Sequence, residues 1–231
     1  MSDNEFFSVE LARDELNTYF GGGIPKNSLI LVEGKDGSGK SILCQRISYA
    51  LLKSGVTITY ISTELNTLDL IKQMESLKYS IKDYLLNKQL LFITMTPFLG
   101  NVKFEENFLE KIMNTKKLFE SDVLILDTLS FLLIKKGDSE SVYYHIMNFF
   151  RKLNNLNKTV LFTIDPTYLD DKFLTLLRNV VDIYITMKFG NENIRNIEVK
   201  RFKRPQDVYK SLIPFRVEPK EGLVIEIGGY S

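Results

Sequence analysis

The chain has 231 residues, of which 44% are apolar and 26% charged, with a net charge of +1 and one cysteine. That length and composition suit one α/β domain with a real core and exclude global disorder. The near-neutral balance gives no overall basic excess for nucleic acid, and Cys44, being alone, excludes an internal disulfide.

The opening MSDNEFFSVELARDEL is acidic and lacks a long apolar stretch, so it is not expected to be a signal peptide. No apolar run approaches the length of a membrane span, so contact with a membrane is expected through partners alone. The first strand expected is SLILVEG (28–34), followed by the glycine-rich GKDGSGKS and a helical pattern over Ser41–Lys53. Next come a strand VTITYIS (56–62), a helix over Thr67–Leu77, a strand LLFITMT (90–96) and a helix over Phe104–Leu118. The pattern continues with VLILDT (123–128), a helix over Ser139–Leu156, TVLFTID (159–165), a helix over Tyr168–Val180 and VDIYITMKF (181–189).

Most of these strand segments are apolar almost throughout, as strands buried on both faces are. Their alternation with helices predicts a doubly wound, mainly parallel sheet flanked by helices. After FGNENIR, which carries Gly and two Asn and reads as a turn, NIEVKRFKR and IPFRVEPKEGLVIEIG follow with no helix between them. They predict an antiparallel hairpin at one edge of the sheet. With no linker or repeat, residues 1–231 read as a single domain.

Gly34–Ser41 fits G-x-x-x-x-G-K-[ST] between a buried strand and a helix, the context a P-loop requires. Gly37 and Gly39 let the backbone turn its N–H groups toward phosphate oxygens, and the helix adds its positive dipole end. Lys40 is expected to reach the β- and γ-phosphates and Ser41 to ligate Mg²⁺. Gly34, Asp36, Gly37, Ser38, Gly39, Lys40, Ser41 and Ile42 are the expected nucleotide contacts.

Asp127 ends a buried strand, where α/β sheets bind ligands; beside a P-loop it is expected to hold the magnesium, and otherwise to cap the next turn. Glu64, ending YISTE, suits either a base that polarises the attacking water or a negative charge at a helix start. In VKRFKR, strict alternation puts Arg201 and Lys203 on one face and Lys200, Phe202 and Arg204 on the other. Such charges protect a solvated edge strand or act in trans on a neighbour's phosphates. His145 reads as a packed surface residue and Cys44 as core.

DELNTYFGGGIPKNSLILVEGKDGSGKS, TYISTEL and VLILDTLS resemble, in order, the opening, second strand and Walker B strand of RecA, RadA and KaiC domains. The closing IPFRVEPKEGLVIE resembles the KaiC hairpin, so the likeness runs from about Asp14 to the C-terminus. Within that superfamily the chain is most similar to the KaiC-like accessory ATPases of the archaeal swimming motor, the archaellum. The resemblance implies a RecA-like P-loop domain binding ATP with Mg²⁺, with Glu64 as catalytic glutamate and Arg201 and Lys203 acting in trans. It also implies a homo-oligomeric ring, a hexamer, at the cytoplasmic face of the membrane-embedded motor, contacting the motor ATPase FlaI and the ring protein FlaX.

Two departures weigh against efficient hydrolysis. Leu65 stands where KaiC domains carry a second glutamate, and Arg201 and Lys203 reverse the K-x-R order, though Arg and Lys are not equivalent at a phosphate. The expected function is therefore a nucleotide-dependent assembly or regulatory switch with slow or absent hydrolysis. The alternatives are a RecA- or RadA-like DNA-dependent ATPase and an autokinase using Ser62, Thr63 or Thr128. The segments after Asp127 and Asp165 lack the glycine-rich, basic character of DNA loops, so no nucleic acid is expected as a partner.

Overall fold

The computed structural model describes residues 5–95, 115, 119–130, 140–190 and 193–226, with the side chains of residues 140–142 and 154 left out. The P-loop follows β3 (Leu29–Gly34) and leads into α2 (Lys40–Lys53). The chain then builds β4 (Ile58–Ser62), α3 (Thr67–Ser76), a short α4 (Lys82–Leu86) and β5 (Leu90–Thr94). After β6 (Val123–Asp127) come α5 (Glu140–Asn155), β7 (Thr159–Ile164), α6 (Asp171–Val180) and β8 (Ile183–Phe189). The chain closes with β9 (Arg195–Phe202), β10 (Leu212–Glu218) and β11 (Gly222–Ile225). The helix expected over Phe104–Leu118 falls almost wholly outside the described residues.

Nine strands form one sheet in the order β11-β10-β9-β8-β3-β7-β6-β4-β5. From β8 to β5 neighbouring strands run parallel, and β8, β9, β10 and β11 pair antiparallel in succession. Both halves of the expected sheet are thus present. Strands β3, β4, β6 and β7 are buried along their whole length, which is why each reads as an unbroken apolar run. Strand β5 lies at the sheet edge and is only partly buried.

Each face of the sheet carries its own core. On one, Leu43, Ile47 and Leu51 of α2 and Leu70 and Met74 of α3 pack against Ile30, Val32, Ile58 and Ile185. On the other, Phe149, Phe150 and Leu153 of α5 and Phe173, Leu174 and Leu177 of α6 pack against Leu29, Leu31, Leu124 and Phe162. The segment expected as one helix over Tyr168–Val180 is divided. Asp165 caps a 3₁₀ turn at Pro166–Tyr168, and Asp170 caps α6 by accepting the Phe173 N–H at 2.8 Å.

An N-terminal arm not anticipated in the sequence precedes the sheet. Strand β1 (Phe6–Phe7) pairs with β2 (Ile24–Pro25), and a four-residue helix α1 (Leu16–Tyr19) lies between them. Arg13 ties the arm to the rest of the chain by donating to the carbonyls of Leu77, Lys78 and Glu221.

Candidate functional site

The carboxyl ends of β3, β4, β6 and β7 meet at one edge of the sheet, where α/β folds bind ligands. Gly37 and Gly39 adopt φ of 73° and 97°, left-handed values that cost a glycine nothing, and Gly39 caps α2. Gly34 is required by close approach instead: a Cβ there would lie 2.5 Å from Ser38 Oγ and 2.8 Å from the Met187 carbonyl oxygen. The loop is braced from outside. Asp36 N–H donates to Asp165 Oδ2 at 2.9 Å, and Arg195 Nε donates to the Gly37 carbonyl at 3.1 Å.

Lys40 is buried, and its ammonium donates to the carbonyls of Gly34 at 2.7 Å and Lys35 at 2.8 Å, so the charge sits in the middle of the loop. Ser38 Oγ is buried without a hydrogen-bond partner. An orphaned hydroxyl, a cradle that a Cβ would fill, and a centred ammonium at a helix N-terminus together fit a polyphosphate.

Asp127 is buried beside the loop. Its Oδ1 accepts the Ser41 and Thr163 hydroxyls, each at 3.1 Å, and its Oδ2 accepts the Tyr60 hydroxyl at 2.8 Å. Burial raises its carboxyl above the ordinary range and the nearby Glu64 charge adds to this, while the three hydroxyls pull it back. Burial, followed by the charge of Asp127, pushes the Tyr60 phenol well up and keeps it a donor. Among the described residues no group of three or more His, Cys, Asp or Glu forms a cage for a metal. A magnesium ion held by Ser41 and Asp127 with water and phosphate oxygens fits that donor set, since Mg²⁺ is usually bound this way.

Glu64 lies exposed at the rim of a cleft of about 360 Å³ that is also lined by Gly37, Lys40, Ser41, Ile42 and Asp36. It accepts the Thr128 hydroxyl at 2.9 Å. Three lining residues carry no signal in the sequence: Gln73, Arg195 and Val217. The brace from Asp165 did have one, because it directly follows a buried apolar strand. Of the hydroxyls considered for self-phosphorylation, Ser62 and Thr63 are buried and Thr128 is bonded to Glu64.

Arg201 and Lys203 are not brought to this site. Arg201 pairs with Tyr184 near the start of β8, whereas Gly34 of the P-loop pairs with Met187 near its end. The separation along the sheet is roughly 10–15 Å. Both side chains make contacts within the chain. Arg201 donates through Nη2 to the carbonyls of Arg178 and Val181 at the end of α6, the latter at 3.0 Å, and Lys203 lies 3.5 Å from Asp182.

The expected alternation also fails. A bulge shifts the β8–β9 register between Tyr184 and Ile185. Phe202 consequently joins Ile197 and Val199 in the core, while Lys200 pairs with Glu198 at 2.6 Å. Lys200 and Phe202 therefore do not share a face. Hydrogen bonds from Lys200 and then Lys188 hold the Glu198 carboxyl down at about 2.

A buried strand, a P-loop with its lysine at the centre and an acid on a nearby parallel strand define a RecA-like P-loop nucleotide-binding domain. The family described as "ATPase: KaiC" matches residues 13–228. The archaeal flagellar ATP-binding protein FlaH of Methanocaldococcus jannaschii is 38% identical over 226 residues, covering 96% of this chain and 97% of that protein. FlaH of Methanococcus voltae is 36% identical, covering 96% and 98%. The crystal structure of the flagellar accessory protein FlaH from M. jannaschii superposes with a TM-score of 0.90 at 38% identity, over 97% of this chain and all of that one. A KaiC-like protein from Pyrococcus horikoshii shares the fold, with a TM-score of 0.75 at 16% identity, over 96% and 99%. The chain belongs to the KaiC-type ATPases and, among them, to the archaeal flagellar ATP-binding proteins of the FlaH family.

Lys40→Ala is expected to remove a charge-assisted phosphate contact worth roughly 1.5–3 kcal/mol, lowering ATP affinity about 10- to 100-fold. Calorimetric titration measures it. Unchanged affinity in a folded variant would mean the loop does not hold the phosphates.

Proposed function

We propose that ATP acts in this protein mainly as a bound signal for assembly or regulation of the archaellum motor, with slow hydrolysis or none. The observation that carries this reading is the distance between the two halves of a hydrolytic site. Lys40, Ser41 and Asp127 gather around the loop, but Arg201 and Lys203 lie toward the opposite end of the strands, roughly 10–15 Å away. Stabilising charge on the transferring phosphoryl group would then depend on a neighbouring copy, which suits a ring, a hexamer in the simplest case. Only Glu64 is offered for the water, with Leu65 beside it. Mg²⁺ would be held by Ser41 and Asp127. The partners that fit this role are the motor ATPase FlaI and the ring protein FlaX, at the cytoplasmic face of the motor. Among the described residues no helix is long and apolar enough to cross a membrane.

The test is phosphate release from the purified protein, alone and with the motor ATPase. An arginine finger is worth about 10³–10⁵ in rate, so a subunit without its neighbour's cations is expected to turn over far below about 1 s⁻¹. Turnover of many per second that collapses in Glu64→Gln would overturn the switch reading and make Glu64 a catalytic base.

A further inference from the structure

Thr128 follows the magnesium-facing Asp127 and has φ 67°, a left-handed backbone that a β-branched residue adopts only under constraint. The constraint is visible on both sides of the residue. Its N–H donates to Thr163 Oγ1 at 2.6 Å, and the same Thr163 hydroxyl donates to Asp127 Oδ1 at 3.1 Å. Its carbonyl accepts the Thr63 hydroxyl at 3.3 Å. The side chain so presented is buried and aims its hydroxyl at Glu64, 2.9 Å from Oε1. Glu64 itself is exposed and sits after the end of β4, so nothing in its own strand fixes the carboxylate.

We propose that Thr128 is a positioning residue that holds Glu64 back from the attacking water, and that Thr163 anchors this hold to the magnesium-facing carboxylate. This rests on the reading of Glu64 as the one carboxylate offered to that water. In hydrolysis the water oxygen forms a bond to the γ-phosphorus, the bond to the β–γ bridging oxygen breaks with its electron pair leaving on ADP, and Glu64 takes the water's proton. A carboxylate that accepts a hydrogen bond from a hydroxyl is a weaker base toward the water's proton, because hydrogen bonding favours its charged form. The hold also spends one of its two oxygens and fixes its direction. Strain at Thr128 agrees with a functional rather than a packing role, since a glycine or asparagine would occupy the same backbone position more easily.

Two measurements test it, and Thr128→Val serves both, because it keeps the β-branch and loses the donor. In the nucleotide-free protein, a double-mutant cycle of Thr128→Val and Glu64→Ala on the unfolding equilibrium is expected to give a coupling of about tenfold, the effect of a hydrogen bond to a charged group at its weak end. Coupling below twofold overturns the hold.

In phosphate release, Thr128→Val is expected to raise kcat about tenfold with KM and the calorimetric ATP affinity unchanged. Thr128→Ser, which keeps the donor, is expected to stay near the parent rate, and Thr128→Val with Glu64→Ala to lose the gain. A kcat that does not rise, a gain that survives Glu64→Ala, a gain in Thr128→Ser equal to that in Thr128→Val, or a change in ATP affinity each overturns it. The parent rate separates the two readings. A fast parent defeats the switch, whereas a slow parent that Thr128→Val leaves slow defeats the hold alone.

Discussion

Arg46→Ala is expected to lower the stability of the protein by about 3–5 kcal/mol, the cost of breaking a buried ion pair by removing one partner. Arg46 lies on α2, on the helix that begins at the P-loop lysine, and its side chain is fully buried. Its Nε donates to Asp14 Oδ2 at 3.0 Å, Nη2 donates to Asp14 Oδ1, and Nη1 donates to the Val9 carbonyl. The Asp14 side chain is 1% exposed, so the variant leaves a buried carboxylate without its cation. The same carboxylate accepts the Leu16 N–H at 3.0 Å, which places the start of α1 in the same network. Arg46 thus ties the arm to α2 beside the apolar core that Val9, Leu11 and Leu16 share with that helix.

Removing both charges, as in Arg46→Met with Asp14→Asn, is expected to cost well under the sum of the single changes, because neither group is then left unpaired. Urea unfolding of the single and double variants measures this. A loss below about 1 kcal/mol in Arg46→Ala would place the pair in the solvent-exposed class.

What could be read in the sequence follows from what the physics leaves there. Strands β3, β4, β6 and β7 announce themselves because burial on both faces forces unbroken apolar runs. The P-loop is legible because phosphate binding fixes its spacing and its glycines together. The N-terminal arm is not legible, since its order comes from long-range contacts by Arg13 and Arg46 rather than from a local period. The face assignment on β9 failed because one bulge near Lys200 reverses every later side chain, and no residue there signals it. Arg195 reaches the loop because the β8–β9 hairpin folds back over it, where Phe189 also comes within 3.3 Å of the position a Cβ on Gly37 would take. That is topology, not motif.

The same topology changes how a trans role for the late-strand cations has to be tested. Arg201→Ala is expected to destabilise the single chain by about 2–3 kcal/mol, because its charged hydrogen bonds satisfy the last carbonyls of α6. Those carbonyls belong to Arg178 and Val181, and they are what a helix terminus otherwise leaves open. Arg178 in turn binds Glu33 through Nε at 2.9 Å and Nη2 at 2.6 Å, and Glu33 precedes the first P-loop glycine. Loss of Arg201 is thus expected to loosen α6 and the root of the loop together. An assembly defect in that variant would not distinguish a lost trans contact from a weakened fold.

Lys203 is the clean probe. Its side chain is 46% exposed and its ion pair with Asp182 spans 3.5 Å, so Lys203→Ala is expected to change stability by less than about 1 kcal/mol. If the late strand faces a neighbour's phosphates, Lys203→Ala weakens ATP-dependent assembly while the melting temperature of the single chain stays put. Light scattering against protein concentration, with and without ATP, reads the first, and thermal unfolding reads the second. Normal assembly of Lys203→Ala with ATP would remove Lys203 from the trans site. The strand would then keep the role its internal contacts already give it, with Arg201 closing the end of α6 and Lys203 pairing with Asp182.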